Sequence, residues 1–188
     1  FRIIGNILDA LDRLHNKKEI KSNKTDIRKV YIEKTLQRLK TVSKIIPNYS
    51  SAETLTINGV KCKNYLHKKN RKIFDYLEKV LFNSKFNPIH GDPTCSNILI
   101  QKNLKPIFFD PRGYFSNDAN IFGDNFYDIS KFYYSIIVYF FLFNRRKFKL
   151  YADNQSVEIM MDNFYPNGAE NIFKERFKSD FQKIQIIH

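Results

Sequence analysis

The residues best suited to chemistry lie in one run, His90-Gly91-Asp92-Pro93-Thr94-Cys95-Ser96-Asn97, with a further carboxylate, Asp110, 13 residues beyond Asn97. Phosphoryl transfer needs few protein parts: a carboxylate to orient the attacking hydroxyl and take its proton, and oxygen ligands that hold magnesium against the phosphates. His-x-Asp with an Asn five positions after the Asp supplies both kinds of oxygen. With 4 His, 12 Asp and 19 Asn in 188 residues, chance would place His-x-Asp-x-x-x-x-Asn about 0.03 times. The pattern is therefore specific even before a second Asp is required. Other chemistries have less to work with. The two cysteines, Cys62 and Cys95, make neither a disulfide framework nor a zinc cluster. Cys95 has no candidate base beyond His90 and reads as a small packing residue rather than a nucleophile.

The surrounding elements must bring these oxygens together. Two short apolar runs, 97–100 and 106–109, flank the polar stretch 101–105 and predict a small β-hairpin. The loop before the first strand carries Asp92, the strand start carries Asn97, and the end of the second strand carries Asp110. Asp110-Pro111-Arg112-Gly113 closes that strand, because Pro cannot continue a ladder and Gly permits a sharp turn.

Ahead of the hairpin the pattern is helical. Ile4, Ile7, Leu8, Leu11 and Leu14 keep a 3.6-residue spacing, and Ile27, Val30, Tyr31, Leu36, Leu39, Val42 and Ile46 predict a second helix. Thr25 and Asp26 are its predicted caps and Pro47 its stop. Residues 48–59 read as a polar link to a third helix bearing Leu66, Ile73, Leu77, Val80 and Leu81. After the hairpin, 126–143 predicts a helix apolar nearly all round and hence buried. A second hairpin is expected around Asp153 to Ser156, and a final, mostly polar helix from Gly168 onward. No internal repeat or low-complexity linker interrupts the chain, so residues 1–188 read as a single domain of the α+β class.

Composition bounds the function. Lys and Arg number 32 against 19 Asp and Glu, a formal net charge of +13, yet 43% hydrophobic and 15% aromatic content excludes a disordered basic tail. Basic residues gather at Lys61, Lys63, Lys68, Lys69, Arg71 and Lys72, and again at Arg145, Arg146, Lys147 and Lys149. A nucleic-acid or polyanion module would use such clusters. Lys, Asn, Ile and Phe are all abundant together, however, so the charge reads as compositional bias and nucleic acid is not the expected partner. The longest apolar run, 132–143, spans only about 18 Å as a helix against a bilayer core of about 30 Å, which predicts a core helix and no membrane span. Phe1 to Leu14 lacks a basic n-region and a small-residue cleavage site, so no signal peptide is expected. The thiols are read as reduced and the protein as cytoplasmic.

The stretch HGDPTCSNILI…PIFFDPRG, followed by GDNFYDISKF, resembles the aminoglycoside phosphotransferase and choline kinase family, whose members share the protein-kinase-like fold. It is most similar to the branch encoded among surface-polysaccharide biosynthesis genes, which has D-P-R-G where others have D-F-G. The likeness covers Pro88 to about Phe132, and Leu11 to His15 resembles the helix that precedes the catalytic region. The resemblance implies that Asp92 is the catalytic base, that Asn97 and Asp110 are magnesium ligands and bind the nucleotide through the metal, that His90 braces the loop, and that Asp128 anchors it from the helix behind. The implied activity is transfer of a phosphoryl group, dependent on Mg2+ and on ATP or GTP, to a hydroxyl of a sugar, aminoglycoside-like molecule or amino alcohol, in capsule or surface-glycan biosynthesis. Pro93-Thr94-Cys95 departs from the family's more usual Leu-His-Pro, and Pro111-Arg112 from Phe-Gly.

The six glycines, at 5, 59, 91, 113, 123 and 168, cannot compose G-x-G-x-x-G or a P-loop, and no V-A-I-K-like strand is present. The resemblance places those parts in an N-terminal lobe. The chain is therefore expected to be the mainly helical C-terminal lobe of a kinase-like phosphotransferase, cut before Phe1, with the N-terminal lobe as its missing partner. Alone it is expected to be inactive, and His188 is expected to be a second truncation. The alternatives are a polyanion-binding module and a non-catalytic pseudokinase; a scaffold has no need of three converging oxygens.

Overall fold

The computed structural model describes residues 2–45, 49, 51–116, 120–137, 140–161 and 168–187. Helix α1 (Arg2–His15) buries Ile7, Leu8, Leu11 and His15 along one stripe, as the 3.6-residue spacing requires. Strand β1 (Ile20–Lys21) leads to α2 (Lys24–Arg28), where the Asn23 Oδ1 accepts the Thr25 N–H at 2.9 Å. Asn23, rather than Thr25 or Asp26, is thus the cap, because a capping oxygen must lie one residue before the first helical turn to reach its free N–H groups. Asp26 instead accepts the Ser116 hydroxyl at 2.8 Å. The helix runs through a π turn, Lys29–Glu33, into α3 (Lys34–Val42). Its predicted stop, Pro47, lies outside the described residues.

The predicted polar link contains structure. Strands β2 (Thr54–Ile57) and β3 (Val60–Lys63) form an antiparallel hairpin joined by Asn58 and Gly59, at φ 48° and 77°. Asn-Gly suits a two-residue turn that needs two positive φ angles, and Thr-Leu-Thr-Ile alternates as a half-buried strand does. Helix α4 (Ile73–Leu81) follows a 3-10 turn at Lys68–Asn70, so the third helix begins later than Leu66.

Strand β4 (Lys85–Pro88) precedes the His90 loop, which ends in a 3-10 turn, Cys95–Asn97. Strands β5 (Ile98–Ile100) and β6 (Pro106–Phe108) pair antiparallel with Ile98 opposite Phe108, which is the predicted hairpin within one residue at each outer end. Strand β7 (Phe122–Gly123) completes a small sheet of order β1-β4-β7. Helix α5 (Asn125–Ile137) starts at Asp124, whose Oδ1 accepts the Phe126 N–H at 3.2 Å. Helix α6 (Phe140–Asn144) carries on the apolar run. Strands β8 (Phe148–Asp153) and β9 (Ser156–Met161) form the second predicted hairpin, and β9 also pairs in parallel with β2, giving the order β3-β2-β9-β8.

The last segment is two helices, α7 (Ala169–Phe177) and α8 (Phe181–Ile187), around a 3-10 turn at Lys178–Asp180. Lys178 sits at φ 44°, which breaks the helical path. Nor is this segment simply polar: Phe173, Phe181 and Ile184 are buried.

With 49% of the described residues in helix and 20% in strand, the protein is of the α+β class. Where the sequence predicts one domain, contacts divide the chain into two compact units, Phe1–Asp26, Asn83–Phe141 and Phe164–His188 in one, and Ile27–Phe82 and Leu142–Asn163 in the other. The first unit has a core of α1, α5, α7 and α8 side chains that includes Leu8, Leu11, Phe132 and Phe173. Tyr133 meets Phe173 and Phe181 edge-on, with centroids 5.0 and 5.6 Å apart. The second unit buries Ile27, Ile32, Leu55, Leu81 and Val157, and an Arg28–Glu78 ion pair at 2.5 Å ties the π-turn region to α4. Among the described residues no helix is long and apolar enough to cross a membrane.

Candidate functional site

All of the candidate residues fall in the first unit. Strand β4 delivers the chain to His90, and at Gly91 it turns with φ 83°. A Cβ on Gly91 would lie 2.7 Å from the Cβ of Arg112, so both the backbone angle and the close approach call for glycine.

His90 is buried and all four of its polar groups are engaged. Its N–H donates to Asp128 Oδ2 at 2.8 Å and its carbonyl accepts the Arg112 N–H at 2.8 Å. The ring Nε2 lies 3.0 Å from the Phe109 carbonyl, and Nδ1 accepts the Asp92 N–H at 3.2 Å. A carbonyl has no hydrogen to give and an N–H needs a lone pair, so the proton sits on Nε2 and Nδ1 is bare. Neither nitrogen is left for substrate.

Asp128 is fully buried on the first turn of α5. Its Oδ1 accepts the Gly91 N–H at 2.7 Å, and its Oδ2 accepts the His90 N–H and lies 3.0 Å from His15 Nε2. Three hydrogen bonds compensate the burial of one carboxylate. Its partner His15, at the end of α1, is itself buried, and the Asn87 amide donates to the His15 carbonyl at 2.9 Å.

Asp92 is next along the loop, with its side chain 38% exposed and its Oδ1 3.0 Å from Lys131 Nζ. The Asn97 Nδ2 donates to the Asp92 carbonyl at 2.9 Å and approaches Asp92 Oδ2 at 3.4 Å. That commits the amide nitrogen and leaves the Asn97 amide oxygen as the atom that could serve a metal. The Phe109 N–H donates to the Asn97 carbonyl at 3.2 Å, extending the hairpin one step past β6. Asp110 follows at once, exposed, at φ 57°, and with no hydrogen bond or ion pair among the described residues. A positive φ at a non-glycine residue has a conformational cost, which Asp tolerates better than most.

The structure therefore joins Asp92 to Asn97 directly and places Asp110 one residue beyond the backbone link between Phe109 and Asn97. Among the described residues no group of three or more His, Cys, Asp or Glu is arranged to hold a metal. Asn97 and Asp110 are two side chains with hard oxygen donors; magnesium held against phosphates is bound through one or two protein groups of this kind and fills its shell with phosphate and water. The donor set fits that ion.

Four neighbours were not foreseen as contributors: His15 as the partner of Asp128, Lys131 on Asp92, Ser135, and Arg112. Cys95, expected to pack inside, is exposed; its N–H donates to Ser135 Oγ at 3.2 Å and its sulfur lies 3.3 Å from the same oxygen. Arg112 donates to the Tyr127 hydroxyl at 2.5 Å and stacks over the Tyr114 ring at 4.7 Å. Burial works against its charge, but hydrogen bonding to Tyr114 and Tyr127 and the coulombic pull of both tyrosines prevail and hold the guanidinium above the ordinary arginine value. The segment after Asp110 is thereby pinned both to the His90 loop and to α5. Comparison with protein-family models, with curated proteins and with solved structures returned no match to this chain.

Proposed function

We propose that this chain carries the catalytic residues of a magnesium- and nucleotide-dependent phosphotransferase whose acceptor is a hydroxyl of a small molecule. One observation carries the reading: a half-exposed carboxylate, Asp92, on a loop fixed from behind by Asp128, bonded to Asn97 and followed across the hairpin by Asp110, which has no partner among the described residues. The sequence resemblance of this same stretch to the aminoglycoside phosphotransferase and choline kinase family supports it. So does the order of parts, a helix, a catalytic loop, a short hairpin and a second helix, which a protein-kinase-like C-terminal lobe would have.

In this reading Asp92 orients the acceptor hydroxyl and takes its proton as the oxygen bonds to the terminal phosphorus and the bond from that phosphorus to the leaving diphosphate breaks. Asn97 and Asp110 would hold magnesium, which would supply positive charge to the phosphate oxygens. His90 and Asp128 do no chemistry; they fix the backbone that aims Asp92. The 188 residues contain no glycine-rich phosphate cover, so the reading assigns that part, and the choice of ATP or GTP, to an N-terminal lobe. A sugar or amino alcohol destined for a surface glycan is the proposed acceptor class.

The test is turnover of the intact gene product with Mg-ATP or Mg-GTP and a panel of sugars and amino alcohols. Asp92→Asn is expected to lower kcat by about 100-fold or more with unchanged thermal unfolding. Full turnover by that variant would overturn the assignment.

A further inference from the structure

Helix α5 presents three polar side chains at i, i+3 and i+7, namely Asp128, Lys131 and Ser135, which share one face of the helix. Each grips a successive part of the same loop. Asp128 receives the N–H groups of His90 and Gly91, Lys131 meets the Asp92 carboxylate, and Ser135 receives the N–H of Cys95. The first and third contacts hold backbone. Only the middle one touches the group that would do chemistry.

Building on the phosphotransferase reading, we propose that Lys131 is a positioning residue for Asp92: its ammonium holds Oδ1, so that Oδ2 is the oxygen that takes the acceptor proton. Two observations assign the two oxygens. Oδ1 lies 3.0 Å from Lys131 Nζ, a full charge-assisted contact. Oδ2 has only the 3.4 Å approach of the Asn97 amide, too long to hold it against a hydroxyl. An unrestrained Asp side chain on an exposed loop would rotate among its staggered wells. The Lys131 side chain is itself only 20% exposed, so its head does not wander as a surface lysine's does, and its root on α5 is the element that also fixes the loop's backbone. A surface ion pair would contribute little to stability; the value of this one is orientation, since misplacing a reacting group by about 1 Å costs about 100-fold in rate. During transfer the hydroxyl proton passes to Oδ2, the acceptor oxygen bonds to phosphorus, and the diphosphate leaves.

The experiment is steady-state kinetics of the intact gene product carrying Lys131→Met, Lys131→Gln, Lys131→Arg, Asp92→Asn and the pair Asp92→Asn with Lys131→Met, each checked for unchanged thermal unfolding. Lys131→Met and Lys131→Gln are expected to lower kcat by about 10- to 100-fold with both KM values within twofold of the parent. Lys131→Arg, which keeps a cation, should recover most of the loss. The paired variant should be no slower than Asp92→Asn alone, because Lys131 acts only through that carboxylate. Parent-like kcat in both neutral variants, a rise in nucleotide KM at constant kcat, or losses that multiply in the pair would each overturn the role of Lys131. If Asp92→Asn retains full turnover, the phosphotransferase reading itself falls. Loss in Asp92→Asn beside parent-like Lys131→Met removes Lys131 alone.

Discussion

Replacing Asp128 with asparagine tests whether the His90–Asp92 loop is held from behind. The carboxylate accepts three hydrogen bonds, from Gly91 N–H at 2.7 Å, His90 N–H at 2.8 Å and His15 Nε2 at 3.0 Å. An amide of the same shape has one acceptor oxygen and one donor nitrogen. Whichever way it turns, at least one loop N–H loses its acceptor and faces another donor. The lost bond to a charged group is worth about 1.5–3 kcal/mol, and the stranded buried N–H adds about 1–3 kcal/mol. Their sum is about 2.5–6 kcal/mol, which brackets the roughly 3–5 kcal/mol typical when one partner of a buried pair is removed. Against a typical total of about 5–15 kcal/mol, the variant still folds but its loop opens. The assay is amide hydrogen exchange across residues 88–92, with α7 as internal reference. Exchange at His90 and Gly91 should quicken by on the order of 100-fold or more, since each 1.4 kcal/mol is a factor of ten. Less than a threefold change at those two amides would show that the carboxylate does not hold the loop.

Two further outcomes follow from the same region. Gly91→Ala should destabilise the chain by about 2 kcal/mol or more, from the left-handed φ and the 2.7 Å approach to the Arg112 Cβ; a urea midpoint within error of the parent would mean that Arg112 yields freely. Burial, with a smaller push from Glu170, raises the Tyr133 phenol above its usual 10.0. The folded state thus favours the neutral phenol: its contribution is complete below about pH 10 and is lost as pH climbs through the raised value. Tyr133→Phe should flatten the decline in unfolding midpoint above about pH 10, and an identical decline in both proteins would contradict this.

Local signals made the candidate site legible. The spacing of His90, Asp92 and Asn97 needs only one loop, and the β5–β6 hairpin that sets Asp110 beside it is closed by five residues. The α1 stripe was legible for the same reason, because one amphipathic period decides it. What escaped depends on partners far along the chain. His15 reads as one more residue on a helix until Asp128, 113 residues later, is placed against it. Lys131 sits among aromatics and would pass for a snorkelling surface residue, since nothing in its neighbours' identity points to Asp92. The β2–β9 pairing joins strands about a hundred residues apart, and no turn signal records such a register. The Asn58-Gly59 turn, by contrast, is a local signal, flanked by the alternating Thr54-Leu55-Thr56-Ile57, and it marks a hairpin inside what reads on average as a polar link. Phe173 escaped because Glu170, Lys174, Glu175 and Arg176 surround it in α7, and Ile184 because the helix that carries it is only seven residues long.

The first unit draws on three separated stretches of chain, and the last of them contributes Phe173, Phe181 and Ile184 to its core. A ribosome therefore releases the Asp92 loop roughly 90 residues before Ile184 exists, an interval of about 5–18 s at ordinary elongation rates. Throughout that time Leu8 and Leu11, and Phe132 once it is made, lack the side chains that cover them, whereas the second unit has all of its residues once position 163 is made. Chaperones and proteases meet the nascent protein with one unit able to close and the one that holds the candidate site still open. Slowing translation across the codons for residues 164–187 should lower the yield of native protein more than slowing it across the codons for residues 93–163.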